Sequence, residues 1–408
     1  MKYKIDICSP KVRFPEFKNS ETWKKKKLID TIKKIIDFRG RTPKKLGMNW
    51  STTGYLALSA LNVKNGYIDY SKDKYYGNDD LYNKWMNGND LYKGQVIFTT
   101  EAPMGNIVQI PDNNKYILSQ RVIAFCVKND AITDSFLALS LKSPFVFSQL
   151  ISLSSGGTAQ GISQKSLSSV TIYLPSNLIE QQKISDCLSS LDELIEAHEQ
   201  KLDVLRQHKK GLMQRLFPAE GETTSRWRFP EFRNDAKWKE NIISDICSVS
   251  TGKSNTQDKV NDGPYPFYVR SATIERSTKY LYDEEAVITV GDGVGTGKIY
   301  HYINGKYDLH QRCYRLFNFK NILGKFLFYF FSIHFYKRFS KMTAKNSVDS
   351  IRLNMITEMP IFVPSLPEQQ KIADCLTSLD ERIEAQGEKI ATLKEHKKGL
   401  MQQLFPSL

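Results

Sequence analysis

The run Gly291-Asp-Gly-Val-Gly-Thr-Gly-Lys298 has the composition of a loop that cradles phosphate. Its spacing does not fit a nucleotide site. A P-loop needs glycine five residues before the Gly-Lys pair, where Asp292 stands, and Ser or Thr after Lys298, where Ile299 stands. A G-x-G-x-x-G reading from Gly291 fails because Thr296 takes the last glycine position. What remains is a glycine-rich turn after a predicted strand Ala286–Val290, with amides and Lys298 suited to a nucleic-acid phosphate. Catalytic patterns are absent. The histidines (His198, His208, His301, His310, His334, His396) form no H-E-x-x-H pair, and no Asn/Asp/Ser-Pro-Pro-aromatic motif for amino-group methylation occurs. The cysteines Cys8, Cys126, Cys187, Cys247, Cys313 and Cys375 are scattered without a C-x-x-C pair, so neither a zinc site nor a disulfide framework is indicated.

Cations carry more of the signal. Arg39-Gly-Arg41-Thr-Pro-Lys44-Lys45 combines Gly and Pro with four positive charges, an exposed turn suited to phosphate or a groove edge. Gln120-Arg121 and Gln311-Arg312 pair the two side chains that read bases in the major groove, arginine favouring guanine and glutamine adenine. Both arginines begin predicted strands at matching places, so a structural role and a base-reading role both stand. Gln160, Lys253, Arg270 and Lys298 complete the candidate DNA-contacting set.

Such residues need elements to hold them, and a chain of 408 residues has room for two or three domains. Its 40% hydrophobic and 25% charged residues exclude a disordered tail protein and a collagen. The apolar run Phe326–Phe331 is too short to cross a bilayer, and residues 1–8 lack a secretory core, so the chain reads as cytoplasmic with no membrane partner. Lys plus Arg exceed Asp plus Glu by 14, which suggests a polyanionic partner, most simply double-stranded DNA.

Internal repetition sets the architecture. Arg13-Phe-Pro-Glu-Phe17 recurs as Arg228-Phe-Pro-Glu-Phe232, Trp23-Lys24 as Trp238-Lys239 and Asp30 as Asp245, all at an offset of 215. Glu180–Pro218 aligns without a gap to Glu368–Pro406 at an offset of 188, with 27 of 39 positions identical. The intervening blocks diverge, yet Gly105-Asn-Ile107 corresponds to Gly297-Lys-Ile299, Thr158–Ile162 to Ser347–Ile351, and Leu174-Pro-Ser176 to Val363-Pro-Ser365. Strand-like runs are Gln95–Thr99, Arg121–Val127, Val170–Leu174, Ala286–Val290 and Gln311–Phe317. Helical stretches follow at Ser135–Ile151 and Leu323–Phe339. Each block is therefore expected to be α+β.

The repeated segments carry a heptad seam. Its positions are Ile184, Leu188, Leu191, Ile195, Leu202, Leu205, Leu212 and Leu216, and in the second copy Ile372, Leu376, Leu379, Ile383, Ile390, Leu393, Leu400 and Leu404. His198, Lys209, Gln386 and Lys397 fill polar slots in the same register. Each segment predicts a helix of about 58 Å, and the two stripes suit one another. A block of about 150 residues must link the end of the first helix to the start of the second, which favours antiparallel pairing. The expected object is a dumb-bell with approximate two-fold symmetry. Its domains are 1–177, the helix 178–218, 219–365 and the helix 366–408. The first block carries 25 positive and 14 negative side chains and each helical segment 6 and 7, so the basic excess lies in the globular blocks.

These residues resemble the specificity subunit of type I restriction-modification systems over essentially the whole chain. The elements that carry the resemblance are the doubled Arg-Phe-Pro-Glu-Phe…Trp entry, the Pro-Ser…Glu-Gln-Gln-Lys-Ile helix start and the Lys-Lys-Gly-Leu-Met-Gln…Leu-Phe-Pro helix end. The resemblance implies two target recognition domains, each reading half of a split asymmetric DNA sequence, joined by an antiparallel helical spacer. It implies no catalysis in this chain. Two modification subunits would bind S-adenosylmethionine and methylate adenine, and restriction subunits would add an ATP- and magnesium-dependent translocase-nuclease. A self-contained DNA methyltransferase or nuclease, and a coiled-coil scaffold that does not bind DNA, are the competing readings.

Overall fold

The computed structural model describes residues 9–72, 74–156, 160–293, 295–343 and 350–406. Cys8, Thr158, Val294 and Ser347, named above, lie outside the described residues. The chain divides into two compact units, Met1–Ala197 with Ile390–Leu408, and His198–Lys389.

The first unit runs β1 (Lys24–Lys27), β2 (Ile32–Asp37), β3 (Tyr55–Leu58), β4 (Tyr76–Gly77), α1 (Asp79–Met86), β5 (Val96–Thr99), β6 (Ile107–Gln109), β7 (Ile117–Leu118) and β8 (Val122–Val127). It continues with α2 (Asp134–Lys142), α3 (Pro144–Leu153), α4 (Gln164–Leu167) and β9 (Thr171–Leu174) before the long helix α5 (Leu178–Leu216). The second unit contains β10 (Lys239–Ile242), α6 (Ile243–Ile246), β11 (Ser248–Thr251), β12 (Tyr265–Tyr268), β13 (Ile274–Ser277), β14 (Tyr282–Val290), β15 (Tyr300–Leu309) and β16 (Cys313–Phe317). Then come α7 (Gly324–Thr343), α8 (Leu353–Thr357), β17 (Pro360–Val363) and the long helix α9 (Leu366–Leu404).

Each unit has its own core sheet, and the two are built in the same order. Strand order is β2-β8-β5-β6 in the first and β11-β16-β14-β15 in the second, and an outlying two-stranded antiparallel sheet pairs β1 with β9 and, in the second unit, β10 with β17. The units part at the sheet edge. In the second, β15 runs unbroken over ten residues, and its end pairs in parallel with β12. In the first, the corresponding stretch splits into β6 and β7, and β7 pairs in parallel with β3. Pro111 lies in the gap, where a missing N–H ends a ladder. The landmark glycines open β6 and β15. Gly105 and Gly297 have φ of +94° and +66°, and a Cβ would stand 3.0 Å from Phe147 and 3.1 Å from Phe339 respectively.

The helical stretch expected over Ser135–Ile151 is two helices bent by 68°. Pro144 cannot continue α2, and Ser143 instead caps α3 by accepting from the Val146 amide. Two other expectations shift. The strands predicted to begin at Arg121 and Gln311 begin later, and Arg121 and the pair Gln311-Arg312 stand in the turns just before β8 and β16. Arg121 has φ +65°, which a ladder residue does not adopt.

Each unit contains part of both long helices, paired antiparallel. In the first, Ile184 and Leu188 share a core with Leu404 and Phe405, and Lys397 pairs with Asp192. In the second, Leu216 and Phe217 share a core with Ile372 and Leu376, and Lys209 pairs with Asp380. Every seam position is buried or partly buried, as the heptad pattern requires. The Leu-Phe-Pro helix ends drive an aromatic into each core: Phe405 lies 6.0 Å from Trp23, and Phe217 lies 5.3 Å from Phe326.

The Arg-Phe-Pro-Glu-Phe motifs lock the helix starts. Arg13 reaches both carboxylate oxygens of Glu180 at 2.6 Å. Arg228 holds Glu368 the same way, at 2.8 and 2.5 Å. Both carboxylates are almost fully buried, so the guanidinium is the countercharge that makes their burial tolerable. The next residue serves the backbone. Gln181 accepts from the Thr133 amide and donates to the Ala131 and Pro175 carbonyls, and Gln369 does the same for Leu323, Asn321 and Pro364. Among the described residues no single helix is long and apolar enough to cross a membrane.

Candidate nucleic-acid interface

In the first unit most of the predicted cations converge. The loop after β2 carries Arg39, Arg41, Lys44 and Lys45. Arg39 pairs with Asp37 and donates to the Ile162 carbonyl at 3.3 Å. Burial alone would raise the Asp37 carboxyl, but side-chain and backbone bonds from Arg39, with Gln164, hold it below its ordinary value. Arg41 donates to the Trp85 carbonyl, and Gln120 donates to the Arg41 carbonyl. Lys45 curls back onto the Gly40 carbonyl at 2.6 Å. Arg41, Lys44, Gln120 and Arg121 line one cleft of 610 Å³, with Trp50 and Tyr75 on its wall. Gln160 is exposed beside Gly161. This arrangement offers cationic and amide donors beside aromatic faces, a combination that suits phosphates and base edges.

The second unit places its residues around the corresponding turn. Gln311 donates to Asn255 at 2.6 Å, and its amide donates to the Ser254 carbonyl, next to Lys253. Arg270 and Arg312 both meet Asp292, at 3.5 and 3.2 Å. The Arg312 amide donates to His310 Nδ1 at 3.0 Å. Burial, and then the Arg270 charge, keep the His310 imidazole below its ordinary value. Behind it Asp308 is buried and accepts from Ser254 and Ser277 at 2.6 and 3.0 Å, which anchors the strand end that presents the turn. Lys298 turns toward α7 instead, its ammonium 5.2 Å from the Tyr336 ring. Among the described residues no cluster of ligating side chains that could hold a metal is found.

Sequence reasoning passed over two carboxylates. Glu101 pairs with Arg121 at 2.9 Å, and Asp292 with Arg312. Each stands two residues beyond a core strand, β5 or β14. The available signal was the offset of 191 that relates Glu101 to Asp292 as well as Arg121 to Arg312.

The family described as the type I restriction modification DNA specificity domain matches residues 20–207 and again 236–395. The chain therefore belongs to that family, and it is a specificity subunit of type I restriction-modification. Among its relatives, the type I restriction enzyme MjaVIII specificity subunit of Methanocaldococcus jannaschii is 28% identical over 320 residues, 71% of this chain and 74% of that protein. The solved S subunit of a type I restriction-modification system from M. genitalium shares the fold. Its TM-score is 0.68 at 18% identity, covering 98% of this chain and all of the other. A chain from a structural study of complex assembly in a type I system superposes with TM-score 0.52 at 16% identity, covering 94% of this chain and 98% of that one.

Proposed function

We propose that the chain recognises a split, asymmetric double-stranded DNA target without catalysing any step on it, one half-site per basic unit. The observation that carries this is the double match of the specificity family, one copy on each unit. The cationic turns favour it over a scaffold that does not bind DNA, because lysines and arginines spread over loops bind phosphate, and arginine at a rigid turn reads a base edge. In this reading Arg39, Arg41, Lys44, Lys45, Gln120, Arg121 and Gln160 serve the first half-site. Lys253, Arg270, Lys298, Gln311 and Arg312 serve the second. Sequence divergence between the units means that the half-sites differ.

The helices α5 and α9 act as an antiparallel coiled-coil spacer that sets the gap and docks two modification subunits and the restriction subunits. S-adenosylmethionine, ATP and magnesium belong to those partners. Methylation mapping of a genome carrying this chain with its modification subunit tests the reading. A split adenine-methylated motif that vanishes on deleting the chain is expected. Methyl transfer or cleavage by the pure chain alone would overturn it.

A further inference from the structure

The turns that carry Arg121 and Arg312 are built alike, although the blocks around them diverge in sequence. The carbonyl of each arginine accepts an amide from the end of the neighbouring strand: Thr100 N to Arg121 O, and Gly291 N to Arg312 O, both 2.8 Å. The carbonyls of Thr100 and Gly291 then accept the amides of Ile162 and Ile351, at 2.9 and 2.7 Å. One residue further, Glu101 bridges to Gly161 and Asp292 to Ser350. Three segments therefore cross at one point in each unit, and a carboxylate faces an arginine there.

A carboxylate on a phosphate-binding face costs affinity through repulsion, and an exposed ion pair returns about 0–1 kcal/mol of stability. The Arg121 and Glu101 side chains are 55% and 43% exposed, so stability does not account for that pair; in the second unit Arg312 is 62% exposed and Asp292, which meets two arginines, 19%. Chemistry does. A guanidinium has five N–H donors, and a salt bridge leaves others for guanine O6 and N7; a carboxylate accepts from the N4 amine of cytosine.

We propose that Glu101 and Asp292 are specificity-determining residues, each acting with its arginine to read one G·C pair in its own half-site. The arginine donates to guanine. The carboxylate orients the guanidinium and accepts from the cytosine amine of the same or the adjacent pair. Arg270, the second cation on Asp292, holds that carboxylate on the reading face. The proposal rests on the DNA-recognition reading above.

The test uses the full chain assembled with its modification subunits. Binding is measured on DNAs in which each base pair of the mapped target is replaced in turn, for wild type, E101Q and D292N. Both variants are near-isosteric; they remove the charge and turn one acceptor oxygen into an N–H donor, which neither pairs with a guanidinium nor accepts from a cytosine amine. E101Q is expected to lower discrimination at one position of the first half-site by roughly 5- to 150-fold, leaving the second unchanged. D292N is expected to do the reverse. Both should tighten non-specific binding and steepen its salt dependence. An unchanged discrimination profile overturns the proposal, as does an equal loss at every position of both half-sites. Failure of both variants to assemble overturns it too, since the pairs are then structural. A wild-type complex with no sequence preference would instead defeat the DNA-recognition reading itself.

Discussion

Gln386 donates its side-chain amide to His198 at two points, Nδ1 at 2.7 Å and the carbonyl at 2.8 Å. The two residues occupy the same slot of the repeated helices, 188 positions apart. The polar slot of one copy is thus satisfied by its own counterpart. A seam of Leu and Ile tolerates sliding, and this matched polar pair, together with the Lys209–Asp380 and Lys397–Asp192 ion pairs, marks the register.

Replacing both members of that pair, His198→Leu with Gln386→Leu, should raise the unfolding midpoint while weakening the register. Disulfide trapping with cysteines placed one heptad apart should then report more than one alignment. A single alignment in the double variant would refute the register role.

Arg13→Met should destabilise the first unit by about 3–5 kcal/mol, because it strands the buried Glu180 carboxylate. Arg228→Met should do the same to the second through Glu368. Adding Glu180→Met to Arg13→Met should restore most of the loss. Urea unfolding of the single and double variants is the check, and equal stabilities for the single variant and wild type would contradict the pairing.

Acid should weaken the second unit through His334. Burial pushes this imidazole down to about 4 from its ordinary 6.5; Lys337 pushes the same way and Glu220 opposes. Its Nε2 is buried without a hydrogen-bond partner. The unfolded chain takes up the proton near 6.5 and the folded one near 4. Stability is therefore unaffected above that window and falls as pH drops through it, by on the order of 2–4 kcal/mol at its lower end. His334→Phe should flatten this part of the pH profile of the urea midpoint.

Exchanging Lys24–Pro175 for the matching block of a relative should change one half-site of the methylated motif and leave the other and the gap as they were. The exchanged block starts at Lys24 in β1 and ends one residue past its partner Leu174 in β9, so the two junctions lie side by side at the end of one antiparallel strand pair. Methylome mapping reads the result; a change in both half-sites would show that the units do not read independently.

The repeat, the two 39-residue helices and their seam were legible in the sequence, because helical periodicity and repetition are properties of the chain order itself. The doubled motifs at the helix starts were visible too, but not their purpose. The arginine of one motif meets the glutamate of another 167 residues later in the first unit and 140 later in the second, and no local rule joins them. Pro144 lies inside an apolar run that continues past it, so apolar continuity predicts one helix where the structure has two. The turn arginines were found by type; the carboxylates opposite them were not. Glu101 meets Arg121, and Asp292 meets Arg312, only because a strand, a turn and a returning strand close on each other. A single carboxylate in a sequence has no spacing that announces such a partner. That contact belongs to the sheet, whose register the tertiary structure alone decides.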